Sequence, residues 1–91
     1  MTLVSEFLGM KFGVVYEKGA EPHFRVVYWD WNGPELSAKY GMESRCVIEG
    51  WLPQLGMWAI DEWADMHHSQ LEQAWEDSRA GRTPAAIAPL E

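Results

Sequence analysis

The hydrophobic pattern of this chain changes its period near Pro53. From about Gln54 onward, apolar positions recur at steps of three and four residues, which is the spacing of one face of an α-helix. This stripe consists of Ile60, Trp63, Ala64, His67, Leu71, Ala74 and Trp75. Because Pro53 suits a helix start and Gly81 suits a helix end, the pattern predicts one long helix over residues 54–80.

The part of the chain before Pro53 is typical of short β-strands. Four runs have strand-forming residues between turn signals, and they are residues 12–17, 24–31, 35–40 and 45–49. In the second run Phe24, Val26 and Tyr28 alternate, so they are expected to share one face of a sheet. Asn32 and Gly33 follow, and both tolerate the positive φ of a type I′ hairpin turn.

The two patterns together predict an α+β fold in one domain over residues 1–91. An antiparallel meander of three or four short strands, over residues 12–49, packs on one long C-terminal helix over residues 54–80. An extended tail over residues 81–91 follows the helix. A chain of this length buries enough surface for a single hydrophobic core and not for two.

The tail has prolines that prevent the helix from resuming, at Pro84 and Pro89. Ile87 and Leu90 lie three residues apart among small residues. We expect these two side chains to anchor the tail in an apolar groove, either of its own domain or of a neighbouring copy.

The negative charge is concentrated in one segment. Fourteen acidic and seven basic residues give a formal net charge of −7, and residues 54–78 contain six acids and no base. Such a balance argues against binding to nucleic-acid phosphates or to anionic membranes, so neither is expected as a direct ligand. Asp61, Asp65 and Glu72 fall on the polar side of the helix and predict a basic protein partner.

The chain has six tryptophans, a high number for 91 residues. Trp63 and Trp75 belong to the helical stripe and are expected in the core. The other four lie in two pairs, which are Trp29 and Trp31 on one strand face and Trp51 and Trp58 beside the helix start. This apolar surplus either thickens the core or forms a patch for a protein partner, because tryptophan is favoured at interface hot spots.

A single cysteine, Cys46, rules out an intrachain disulfide and favours a reducing, cytoplasmic setting. It precedes Val47 and Ile48, so we expect it to be a small buried hydrophobe. Residues 1–10 have neither the basic nor the long apolar region of a signal peptide. No glycine-rich phosphate loop or metal-binding signature is present in the sequence, and we expect no cofactor or metal.

The histidines raise an alternative, enzymatic hypothesis. His67 lies in the helical stripe, where a buried and hydrogen-bonded histidine is the plainer interpretation. If the fold brought it to His23, two imidazoles could move protons or hold a metal, and Arg25 could stabilise phosphate charge. This trio predicts a small histidine-using or metal-dependent enzyme, such as an RNA-cleaving toxin.

Four sets of residues occur in order along residues 5–90. The first is Glu21-Pro22-His23-Phe24 before a strand, and the second is Glu49-Gly50 with Leu52-Pro53 before the helix. The third lies along the helix and consists of Trp63, His67, Leu71 and Trp75, and the fourth is Ile87-Ala88-Pro89-Leu90 at the end. Together they resemble a family of small bacterial proteins, the domain of unknown function numbered 4160. Its members often carry a second histidine in the pattern Pro-His-x-His, where this chain has Arg25. The resemblance implies a protein paired with a second small protein, in a toxin–antitoxin-like module.

The function predicted first is therefore a small acidic protein-interaction module, one half of a toxin–antitoxin-like pair. The residues expected to contact the partner are Asp61, Asp65, Glu72, Trp29, Trp31, Ile87 and Leu90. The enzymatic hypothesis is the alternative. A third is a structural subunit of a homodimer, with the tail gripping its neighbour.

Overall fold

A computed structural model describes residues 2–29 and 35–90, without the side chains of Trp29 and Leu55. The predicted turn at Asn32 and Gly33, and Trp31, lie outside these residues. Within them, five antiparallel strands form one sheet in chain order. The strands are β1 (Thr2–Phe7), β2 (Met10–Val14), β3 (His23–Trp29), β4 (Glu35–Gly41) and β5 (Val47–Gly50). The predicted α+β meander is thus confirmed, with more strands than the three or four expected.

The alternation of side chains along β3 gives the sheet one apolar face. Phe24, Val26 and Tyr28 are all buried, so they share one face of the sheet as the sequence predicts. Antiparallel pairing places Met10 opposite Tyr28 and Tyr40 opposite Phe24, and paired residues lie on the same face. The sheet therefore presents a continuous aromatic and aliphatic surface to the helices.

The first strand is the one that the sequence pattern does not predict. A register shift between Leu3 and Ser5 interrupts its alternation, as a β-bulge does. Its turn to β2 is formed by Leu8 and Gly9, whose φ angles of 51° and 74° are both positive. Asparagine and glycine are the usual residues in such a turn. Because leucine stands at position 8, the sequence does not indicate a hairpin here.

The expectation of one long helix is wrong, because within the described residues the segment forms two helices. They are α1 (Gln54–Met66) and α2 (His68–Arg79), and His67 separates them with φ −115° and ψ 26°. A straight helix of this length would extend about 39 Å, whereas a seven-residue strand extends about 23 Å. The break lets both apolar stripes stay on the sheet. Neither described helix is long and apolar enough to cross a membrane.

Trp63 lies at the centre of the hydrophobic core and is fully buried. Its ring centroid is 4.7 Å from that of Phe12, 5.6 Å from Phe7 and 5.4 Å from Phe24. Its indole N–H donates a hydrogen bond to the carbonyl of Ala88 at 2.9 Å. One side chain of α1 therefore contacts three strands and the tail.

The tail packs on its own domain. Ile87 is 4% exposed, and its backbone N–H donates to the carbonyl of Val4 on β1 at 2.7 Å. Leu90 is partly buried against the same core. The sequence left open whether Ile87 and Leu90 lie in a groove of their own domain or of a neighbouring copy, and the structure shows them in their own domain.

Cys46 is exposed, so the expectation of a buried cysteine is wrong. The reason is that β5 begins one residue later, at Val47. Cys46 belongs instead to the turn after β4, where its carbonyl accepts a hydrogen bond from the N–H of Gly41.

Replacing Leu71 on α2 with alanine tests the packing of the second helix. Leu71 is 1% exposed, so Leu71→Ala should lower the free energy of unfolding by about 2–5 kcal/mol. Met66→Ala is the control, because Met66 is 63% exposed and its loss should change stability by no more than about 0.5 kcal/mol. A loss below about 1 kcal/mol for Leu71→Ala in urea denaturation would contradict the packing described.

Truncation after Arg82 tests the packing of the tail. We expect a lower melting temperature and an unchanged oligomeric state in solution, because Ile87 is buried against its own domain. Burial of such a side chain stabilises by about 1.5–3 kcal/mol before the entropy of ordering the tail is subtracted. Ile87→Ala in the full chain should reproduce most of the loss. An unchanged melting temperature, or a dimer that becomes a monomer, would contradict this packing.

Candidate functional site

The carboxylate of Glu17 collects basic side chains on one part of the sheet. It accepts hydrogen bonds from Arg25 Nη2 at 2.9 Å and from Lys39 Nζ at 3.0 Å, and His23 Nε2 lies 3.2 Å from it. Arg25 on β3 and Lys39 on β4 are direct partners in the strand register, which brings their side chains together. Lys39 also reaches Glu49 on β5 at 3.0 Å. We call Glu17, His23, Arg25 and Lys39 the Glu17 cluster.

The electrostatics of the Glu17 cluster favour the ionised carboxylate of Glu17 and the protonated ammonium group of Lys39. The hydrogen bond from Lys39, followed by those from Arg25 and His23, lowers the pKa of Glu17 to about 2 against the opposing effect of partial burial. Glu17 and Glu49 in turn raise the pKa of Lys39. The cluster is therefore an ion-pair network that ties the loop before β3 to strands β3, β4 and β5.

The structure brings two of the three predicted catalytic residues together. His23 and Arg25 meet at Glu17, but His23 is 1% exposed and its Nδ1 lies 2.8 Å from the carbonyl oxygen of Glu21. His67 instead has its Nδ1 2.6 Å from Gln70 Oε1. Across the described residues, no hydrogen bond or ring contact joins the two histidines.

The position of His23 limits what the Glu17 cluster can do chemically. Both ring nitrogens face oxygen atoms of the protein, and the ring lies 4.9 Å from that of Trp75. A buried imidazole held on both sides is placed to support the fold, not to reach a substrate. In the described part of the chain, no group of three or more His, Cys, Asp or Glu side chains is placed to hold a metal ion.

A second cluster lies on the solvent side of α1. Its helical spacing places one set of exposed residues on one face, opposite the buried stripe, and they are Trp58, Asp61, Glu62, Asp65 and Met66. We call this set the acidic face of α1. Trp58 and Met66 are each 63% exposed, and the Asp65 side chain is 73% exposed. Acidic side chains therefore stand between two large apolar ones.

The acidic face is tied to the sheet at two points. The buried Tyr40 on β4 donates its hydroxyl to Asp61 Oδ1 at 2.5 Å, and Arg45 Nη1 donates to Asp65 Oδ1 at 2.7 Å. These residues and Glu62 line an open cleft of about 580 Å³. Burial, and to a smaller degree the bond to Asp61, raises the pKa of the Tyr40 hydroxyl, so it remains a donor at neutral pH. The aspartates are thereby held in place.

The remaining predicted contact residues are distributed differently. Glu72 lies on α2, beyond the break at His67, and its Oε1 is 2.8 Å from His68 Nε2. Ile87 and Leu90 contact the chain's own core. The side chain of Trp29 is not described, and Trp31 lies outside the described residues. Of the predicted acidic trio, α1 thus carries only Asp61 and Asp65.

Comparison with known proteins gives no match to a family model, to a curated protein or to a solved structure. The resemblance to family 4160 therefore stays a prediction. What the surface can bind has to be inferred from its own charges and apolar groups.

The pKa of Glu17 predicts how acid affects stability. The folded-state pKa of about 2 lies below the ordinary value of 4.5, so ionised Glu17 stabilises the fold above about pH 4.5 and loses that effect as the pH falls towards 2. Glu17→Gln should be less stable at pH 7, and its stability should fall less steeply over this range. Urea denaturation at several pH values measures both.

Glu35→Gln is the control for the acid response, because Glu35 is an exposed carboxylate on β4. It should keep the steep acid limb of the native protein. A Glu17→Gln variant with the same slope between pH 4.5 and 2 as the native protein would contradict the ion-pair network.

Proposed function

We propose that this chain is an interaction module that binds a basic protein partner through the acidic face of α1. The observation that carries the proposal is the arrangement of Asp61, Glu62 and Asp65 between the exposed side chains of Trp58 and Met66. Acidic groups beside exposed apolar groups suit a partner that is basic and amphipathic. Arg45 offsets part of this charge.

The acidic face supports a protein partner over other ligands. Its carboxylates repel the phosphates of nucleic acids, whereas an interface with a basic protein gains both a faster association and the burial of apolar surface. Large aromatic side chains such as Trp58 contribute strongly when they are buried in a protein interface. Two copies of this chain that met through the acidic face would bring like charges together, which disfavours a homodimer there.

The Glu17 cluster gives weaker support to the alternative of an RNA-cleaving enzyme. His23 is buried, and His67 contacts Gln70 and Trp63. The resemblance to family 4160 adds that the partner is a second small protein, as in a toxin–antitoxin-like pair. We include that identity in the proposal.

A charge reversal on the acidic face tests the proposal. Glu62 is exposed, and unlike Asp61 and Asp65 it forms none of the contacts that tie α1 to the sheet, so Glu62→Lys should leave the fold intact. Glu35→Lys on β4 changes the net charge equally at an exposed site on the face of the sheet opposite the helices. Each variant is used to capture proteins from a lysate of the source organism, with identification by mass spectrometry.

The native chain and Glu35→Lys should capture the same basic protein, and Glu62→Lys should capture much less of it. With the purified partner, the association rate should fall as salt is raised, and it should fall less steeply for Glu62→Lys. Equal capture by both variants, or capture of an acidic protein, would contradict binding through α1.

A further inference from the structure

Large apolar side chains are exposed at one end of the sheet. In an antiparallel meander, the end of β1, the start of β2 and the end of β5 all lie at the same end. Leu8 lies in the first of these turns and is 67% exposed, and Trp51 follows β5 and is 65% exposed. Trp58 lies in the first two turns of α1, which starts at this end. We call Leu8, Trp51 and Trp58 the strand-end patch.

Contacts beneath the patch hold its parts together. Met10, two residues after Leu8, has its sulfur 3.7 Å from the Cβ position at Gly56 on α1. Tyr28, the β3 partner of Met10, donates its hydroxyl to the carbonyl of Trp51 at 2.7 Å. The β1–β2 turn, the segment after β5 and the start of α1 therefore rest on one buried base.

Leu8 is the residue of the patch that folding alone does not explain. Its φ of 51° lies in the left-handed region, which asparagine and glycine adopt at much lower energy than leucine. Its side chain is also mostly exposed, so burial in the folded chain does not compensate for the strain. Residues with a strained backbone that do not stabilise the fold are common at binding sites.

We infer that the strand-end patch receives a large apolar side chain of the basic partner, so that the partner's docking segment is amphipathic as well as basic. This inference rests on the proposed function. Asp61 and Glu62 follow Trp58 by about one helical turn, so an occupant of the patch also meets carboxylates. A second copy of this chain would place its own acidic face beside them, and charge complementarity therefore favours the basic partner.

Two synthetic peptides of equal length and equal positive charge test the inference with the full chain. One is an amphipathic peptide of lysine and leucine, and the other has serine in place of every leucine. Calorimetry should show that the leucine peptide binds about tenfold more tightly, because a buried apolar anchor contributes at least about that factor. Trp58→Ser should remove most of this advantage, because the leucine side chains then lose their aromatic contact.

Leu8→Asn separates binding from folding. Asparagine relieves the backbone strain, so the variant should melt at a higher temperature than the native chain and yet bind the leucine peptide more weakly. Leu3→Asn is the matched control, because Leu3 is also exposed but lies in β1, away from the turn. Its affinity for the leucine peptide should be unchanged.

Equal affinities of the native chain for the two peptides, or an advantage that survives both Trp58→Ser and Leu8→Asn, would overturn the inference. In that case Glu62→Lys decides the proposed function separately, because weaker binding of both peptides to this variant supports the acidic face by itself. Unchanged binding of both peptides would instead overturn the proposed function. A native dimer that Trp58→Ser converts to a monomer would show that a second copy fills the patch, and the inference would be wrong.

Discussion

The packing of Trp63 is the interaction on which the rest of the structure depends. Its ring contacts aromatic residues from three strands, and its N–H holds the tail through the carbonyl of Ala88. Once Trp63, Ile60 and Ala64 face the sheet, the helical repeat turns Trp58 and Glu62 towards solvent. The acidic face is therefore a direct consequence of how the core packs.

Much of the fold can be predicted from local signals in the sequence. Pro53 and Gly81 mark the ends of the helical segment, and the alternation of Phe24, Val26 and Tyr28 identifies the buried face of β3. These signals depend on a few neighbouring residues. The break at His67 has no such local signal, because the three- and four-residue spacing of apolar residues continues through it.

The candidate site is less predictable, since its key contacts join residues far apart in sequence. Asp61 and Asp65 are recognisable as surface acids, but their partners Tyr40 and Arg45 come from β4 and the turn after it. The contact of Glu17 with Lys39 likewise spans 22 residues. The strand register creates these contacts, and no local motif encodes them.

The distribution of basic residues explains why the acidic face keeps most of its charge. Several basic side chains form ion pairs with carboxylates, and these include Arg25 and Lys39 with Glu17, Arg45 with Asp65, Arg79 with Glu76, and Arg82 with Asp77. The exposed pairs of Arg45, Arg79 and Arg82 contribute little to stability, so their main effect is on the surface potential. The ion pairs neutralise acids around the sheet and at the end of α2, and on the acidic face Arg45 offsets the charge of Asp65. Asp61 and Glu62 form no such pair in the described part of the chain, so the acidic face keeps carboxylates that would attract the proposed basic partner.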